Sequence, residues 1–177
     1  MAGRFGGDMG EQFVGDFLSV AADEALHFAV LQRYLRQLGA DYGDFPAHDG
    51  LWEAAYATRH DIDARLAVVP MVLEARGLDV TPPMLERVEA IGDHKGVRIL
   101  QRILDDEIRH VRIGTTHFIA NCRKQEKVPE SRWKELVNEY FRGQLKPPFN
   151  DSARLAAGLS REFYADVACP DFSPIPA

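Results

Sequence analysis

The sequence predicts an all-α protein, an antiparallel helix bundle with extra helices at its C-terminal end. Apolar residues recur at alternating steps of three and four along most of the chain, which is the period of an amphipathic helix. No segment shows the strict apolar–polar alternation of a β-strand. Glycine and proline separate the periodic segments and indicate where helices begin and end. The length of 177 residues suits one ordinary domain.

The first long helix is predicted over residues 11–38. Its apolar stripe has the spacing of a bundle seam and consists of Phe13, Phe17, Val20, Leu31, Tyr34 and Leu38. The segment that follows, 39–50, is rich in Gly and Asp and contains one proline, which predicts a long loop.

The second helix is predicted over residues 51–76, with Gly77 just beyond its C-terminal end. Residues 62–75 are apolar or small on most of the helix circumference, so we expect this part to be buried. Pro70 lies inside it and cannot donate a backbone hydrogen bond. It therefore predicts a kink or an opened hydrogen-bond ladder.

A third helix is predicted to begin with Thr81 as N-cap and Pro82 at the first helical position, and to break near Gly92. The fourth is predicted over residues 93–124.

Two shorter helices are then predicted. The first covers residues 130–144, and the second covers residues 152–166 with Asp151 as its N-cap. We expect residues 1–128 to form the helix bundle itself, and residues 129–177 to be a helical extension packed on the same domain.

Two Glu–His pairs occupy seam positions where apolar residues would otherwise stand. Glu24 and His27 lie on the seam of the first helix, and Glu107 and His110 lie on that of the fourth. An E-x-x-H step places both side chains on one helix face about one turn apart, so both can bind one ion. Helix bundles supply such pairs to di-iron and di-manganese carboxylate sites. The simpler alternative is that each pair is a solvated neighbour pair on a helix surface.

Glu74 is the candidate for a fifth ligand. It lies near the end of the second helix, in line with small residues that include Ala64 and Ala67, which would let a metal cluster or another helix approach closely. Alternatively, Glu74 pairs with Arg76 or another basic side chain. Asp106 is a candidate for orienting a ligand histidine by a hydrogen bond, and as a surface residue it would need no explanation.

Composition and charge exclude several classes of function. The net charge of −6 argues against nucleic acid as a partner, because phosphate binding needs a basic surface. No apolar run is long enough to cross a membrane, and the N-terminus lacks the apolar core of a signal peptide. Cys122 and Cys169 show no motif spacing, which fits a reducing compartment. We therefore expect a cytoplasmic protein with neither nucleic acid nor membrane as partner.

Several segments of the chain resemble the DUF455 family of proteins with a ferritin-like domain. They are ADEALHF, DYGDFPAHDGLWE, ARLAVVPMVLEARGLDVTP, ILDDEIRHVRIGT and LKPPFNDSARLAAGL. The resemblance covers most of the chain and implies a ferritin-like antiparallel bundle that holds two divalent metal ions, iron or manganese. The ligands it implies are Glu24, His27, Glu74, Glu107 and His110.

The resemblance also implies an additional N-terminal helix with a further glutamate ligand. Only ten residues precede Glu11 and they are glycine-rich, so we expect no bundle helix there. One alternative is that the true start of the chain lies upstream of Met1. The other is a shortened form, in which the missing carboxylate would come from a partner chain, from solvent or not at all. An uncovered seam would favour a homo-oligomer or reduce stability.

Three functions fit these expectations. The first is an oxidoreductase whose metal centre acts on an unidentified small-molecule substrate. The second is a non-catalytic metal-binding or storage protein with the same ligands. The third is a structural helical protein without metal. The catalytic residues are not indicated by the sequence.

Overall fold

The computed structural model describes residues 1–167, and the regular secondary structure of this part of the chain is entirely helical, as predicted. The elements are α1 (Ala2–Met9), α2 (Glu11–Gln37), α3 (Gly50–Ala57), α4 (Ile62–Val68), a π-helical segment (Val69–Glu74), α5 (Ala75–Ala90), α6 (His94–Lys124), α7 (Pro129–Tyr140), α8 (Asp151–Ala156) and α9 (Arg161–Tyr164). None of the helices described is both long and apolar enough to span a bilayer. Cys169 and the proline-rich tail lie outside the described residues.

Two compact units share the chain. Unit 1 comprises Met1–Asp49 and Val80–Asp106, and unit 2 comprises Gly50–Asp79 and the residues from Glu107 onward. Helices α5 and α6 are each divided between the two units. The predicted division of the chain after residue 128 stays a prediction.

Unit 1 begins with a short helix that the glycine-rich composition did not suggest. Helix α1 has eight residues and packs on α2, which has 27. Burial of Phe5 offsets the conformational cost of the glycines, and Gly10, at φ +90°, separates the two helices. Gly6 permits the close packing, since a Cβ atom there would lie 2.5 Å from Val14 Cγ2.

The predicted seam of α2 is buried only in its first half. Phe13, Phe17 and Val20 are buried, whereas Leu31 is 40% exposed and Leu38 is 65% exposed. The expectation of a continuous buried seam was therefore wrong. Helical periodicity identifies the side chains that share a face, but it does not reveal whether another element covers that face.

In unit 2, the predicted second helix is not continuous and comprises α3, α4, the π-helical segment and the first two residues of α5. It is interrupted after α3 because the Asp61 carboxylate caps α4, accepting a hydrogen bond from the Ala64 backbone N–H at 3.0 Å. The opened ladder predicted at Pro70 is confirmed, since the π-helical segment includes this residue. The Trp133 indole Nε1 donates to the Ala67 carbonyl, 3.1 Å away, just before the segment.

The predicted helix end at Gly77 and the predicted start at Thr81 were both wrong. Helix α5 runs through these positions without interruption and contains Pro82 inside it. Because Pro82 has no N–H, the Leu78 carbonyl cannot receive its usual helical hydrogen bond. Asn150 Nδ2 donates to this carbonyl instead, at 3.2 Å, which lets the helix continue.

The start of α6 agrees with the sequence. Gly92, at φ +77°, follows the end of α5, and the Asp93 carboxylate accepts a hydrogen bond from the Gly96 backbone N–H at 2.8 Å. The predicted break near Gly92 and the helix over 93–124 are thus confirmed.

The predictions for the last helices were less accurate. Helix α7 ends four residues before its predicted end. The helix predicted over 152–166 is two short helices, and the Asn150 side chain, rather than Asp151, caps the first of them. Gly158, at φ +78°, lies between α8 and α9.

Candidate metal centre

The first Glu–His pair lies in unit 1, on α2. His27 Nδ1 is 3.4 Å from Glu24 Oε1, so both offer a ligand atom to the same small volume. The His27 side chain is buried at 7% exposure, whereas the Glu24 side chain is half exposed at 49%. The expectation that both members of the pair are buried is therefore correct for the histidine alone.

Asp106, also in unit 1, fixes the orientation of the His27 ring. Its Oδ2 atom lies 3.1 Å from His27 Nε2 and 2.7 Å from Arg102 Nε. Burial acts to raise the pKa of Asp106, but the hydrogen bonds from Arg102 and His27 outweigh it, and the pKa lies below its usual value. An ionised carboxylate can only accept, so His27 donates through Nε2. In the neutral ring, Nδ1 is then the atom that faces Glu24 as a Lewis base.

The second Glu–His pair lies in unit 2, on α6. His110 Nδ1 is 3.9 Å from Glu107 Oε2, and the side chains are 0% and 14% exposed, respectively. Both members of this pair are thus removed from bulk solvent, in agreement with the sequence. In each pair it is the Nδ1 atom of the imidazole that faces the glutamate.

Glu74 is the last residue of the π-helical segment of unit 2. Two close approaches fix how the segment and the start of α5 run along α6. A Cβ atom at Gly114 would lie 2.4 Å from Pro70 Cβ, and one at Gly77 would lie 3.9 Å from Glu107 Cγ. The π-helical segment and the start of α5 therefore run antiparallel to α6. Since Glu74 lies four residues after Pro70, this register brings it level with His110.

The structure thus brings four of the predicted ligands together as two neighbouring pairs, each within one helix. Glu24 and His27 are neighbours in unit 1, with Asp106 behind the imidazole. Glu107 and His110 are neighbours in unit 2, with Glu74 at the same level. Each pair combines carboxylate and imidazole ligands, which suit divalent iron and manganese.

A cavity of about 380 Å³ adjoins the first pair, entirely within unit 1. His27 forms part of its wall. The remaining lining residues come from α2 and from the first half of α6, and they are Leu26, Val30, Arg33, Tyr34, Lys95, Arg98, Ile99, Arg102 and Ile103. A buried candidate ligand is therefore in contact with a space large enough for a small molecule.

Sequence reasoning missed the basic residues of this cavity. Lys95, Arg98 and Arg102 recur at steps of three and four, which places them on one face of α6. That spacing could have indicated a basic helix face. The spacing could not indicate that this face lies opposite Arg33 across a cavity. The two helices are brought side by side by contacts between distant residues, such as the hydrogen bond between Gln37 and Lys95, which are 58 positions apart.

Comparison with known proteins identifies the family but not an activity. The family described as "Protein of unknown function (DUF455)" matches residues 1–165. An uncharacterized protein of Haemophilus influenzae is 43% identical over 166 residues, which is 90% of this chain and 58% of that relative. The chain thus spans less than two thirds of the length of this relative. The search of solved structures found no match to this chain. Because the family model matches nearly the whole chain, the chain belongs to the DUF455 family.

Proposed function

We propose that this protein is a ferritin-like dimetal carboxylate protein that acts as an oxidoreductase on a small-molecule substrate. Glu24 and His27 would hold one divalent ion, and Glu107 and His110, with Glu74, would hold the other. The observation that carries the proposal is the shared geometry of the two pairs, in which the imidazole Nδ1 atom faces a carboxylate one turn away.

The donor set and its spacing fit a metal ion. Two atoms that bind one ion at about 2.0–2.2 Å, in directions roughly at right angles, are about 3 Å apart. The 3.4 Å between His27 Nδ1 and Glu24 Oε1 is close to that separation. With Nε2 donating to Asp106, the Nδ1 lone pair of a neutral His27 ring would bind a cation placed between it and Glu24 Oε1.

Asp106 supports metal binding through His27. By accepting a hydrogen bond from Nε2–H it holds one tautomer and one ring orientation, which is how carboxylates commonly support metal-binding histidines. When bound, iron or manganese would supply one-electron redox chemistry and open coordination positions. Glu24, His27 and Asp106 would position the ion beside the unit 1 cavity.

The cavity favours an enzyme over a storage protein. A storage site needs ligands but no adjoining space for an organic molecule, and here the wall of the cavity includes His27. A small molecule in this cavity would lie next to the ion that His27 binds. The oxidoreductase proposal rests on this proximity.

Metal analysis of the purified protein tests the proposal. We expect about two iron or manganese ions per chain in the wild type, as in dinuclear carboxylate sites. Glu107→Ala should lose one or both ions, because its carboxylate lies against His110. Glu89→Ala is the matched control, since this exposed glutamate on α5 is not a candidate ligand, and it should keep the wild-type metal content.

Absence of iron and manganese from the wild type, even after reconstitution, would overturn the proposal and favour a metal-free structural role. If metal is bound, exposure of the ferrous form to O₂ tests the redox part. An oxidoreductase should consume O₂ and change its absorption spectrum, and Glu107→Ala should do neither.

A further inference from the structure

The unit 1 cavity is a narrow slot between two antiparallel helices. A hydrogen bond from Lys95 Nζ to Gln37 Oε1 joins α2 and α6 beyond one end of the slot, and the His27–Asp106 bond joins them at the other. Gly96 permits this approach, since a Cβ atom there would lie 2.8 Å from the Tyr34 hydroxyl oxygen. On α2 the lining residues run from 26 to 34, which corresponds to a slot about 12 Å long.

The lining of the slot combines apolar walls with positive charge. Aliphatic side chains of both helices form the walls, among them Val30, Ile99 and Ile103. The charged residues of the lining are Arg33, Lys95, Arg98 and Arg102, and no Asp or Glu of the described residues belongs to it.

This charge is unlike that of the chain as a whole. The protein carries a net charge of −6, yet the slot gathers four of its 21 basic residues. Arg102 is neutralised in part by Asp106. Arg33 and Arg98 have exposed side chains at the edge of the slot, where they can meet an incoming ligand.

We propose that the slot, about 12 Å long, binds an amphipathic organic anion, a carboxylate or phosphate ester with an unbranched or aromatic apolar body. Arginine pairs well with carboxylates and phosphates, because its planar guanidinium donates two parallel hydrogen bonds. The apolar body gains free energy by leaving water for the aliphatic walls. The anion head lies at Arg33 and Arg98, and the apolar body extends toward His27.

The binding of such an anion is independent of metal, whereas its role as the substrate rests on the proposed function. In that role the apolar body, rather than the acid group, would be next to the ion held by Glu24 and His27. The chemical class of the substrate would then be an amphipathic organic acid.

Isothermal titration calorimetry, which measures the affinity of the protein for each of four probe compounds, tests the binding site. We expect octanoate and octyl phosphate to bind the full chain. Octylammonium has the wrong charge and inorganic phosphate has no apolar body, so both should bind at least about tenfold more weakly. The Arg33→Gln/Arg98→Gln double variant should weaken octanoate binding about tenfold or more. Arg87→Gln, an exposed arginine on α5 outside the slot, should bind octanoate as the wild type does.

Equal binding of octanoate and octylammonium would overturn the inference, as would a double variant that still binds octanoate with full affinity. Because both arginines are exposed, circular dichroism should show that the variant is folded. Glu107→Ala should retain octanoate binding while losing metal. Failure of the metal proposal and failure of the anion site would therefore give different results.

Discussion

Asp79 and Arg154 form a buried ion pair in unit 2, and no sequence motif indicated it. Arg154 Nε and Nη2 donate to the two Asp79 carboxylate oxygens at 2.9 and 2.7 Å, and both side chains are 1% exposed. The guanidinium also stacks on the rings of Phe149 and Tyr164, with centroids 4.7 and 4.6 Å away. The pair ties α8 to the stretch of α5 that precedes its internal prolines.

We expect Asp79→Asn to lower the free energy of unfolding by about 3–5 kcal/mol, because it leaves a buried guanidinium without its counter-charge. Urea unfolding followed by circular dichroism measures the change. Asp166→Asn is the control, since its pair with Lys134 is exposed and should contribute little. Equal effects of the two substitutions would contradict this account of the buried pair.

At the scale of the helices, close packing of the π-helical segment against α6 positions Glu74. Proline at position 70 opens the helical ladder, and the absence of a side chain at Gly114 lets the two backbones approach. The sequence indicated the opened ladder because proline acts locally. It gave no indication that Gly114, 44 positions further on, accommodates the proline ring.

We expect Gly114→Ala to destabilise the protein by about 1–3 kcal/mol, because the new methyl group would overlap Pro70. The same substitution at Gly15, inside α2, meets nothing within 4 Å and should stabilise the protein by about 0.5–1 kcal/mol through helix propensity. Thermal or urea unfolding of the two variants checks the opposite signs. A gain in stability from Gly114→Ala would rule out the tight contact.

For the molecule as a whole, the proposed metal ions couple ligand binding to stability. An ion that binds only the folded chain raises the free energy of unfolding by about 2.7 kcal/mol when its concentration is 100 times the dissociation constant. We therefore expect added Mn²⁺ to raise the melting temperature of the wild type. The rise should be smaller in Glu24→Ala and in Glu107→Ala, and unchanged in Glu89→Ala. The same rise in all four proteins would indicate nonspecific binding.

The homo-oligomer expected from an uncovered seam also belongs to this scale and stays a prediction. Exposed apolar side chains on α2, including Leu18 and Leu26, are the feature that would support it.

Features set by local interactions could be predicted from the sequence. The helical class, the break at Gly92, the cap at Asp93 and the disturbed ladder at Pro70 all depend on residues within a few positions of one another. The two E-x-x-H pairs are local in the same sense, because the helix itself brings their side chains together.

Only the tertiary structure decided the features that depend on distant residues. Helix α5 continues through its prolines because Asn150, about 70 positions away, supplies a replacement hydrogen bond. The His27 ring is oriented by Asp106, and the basic slot arises where two helices run side by side. The sequence alone thus predicted the helical class and the two E-x-x-H pairs that are candidate metal ligands. Packing determined which of those residues are buried and what lies beside them, because burial and long-range hydrogen bonds depend on contacts that local sequence does not specify.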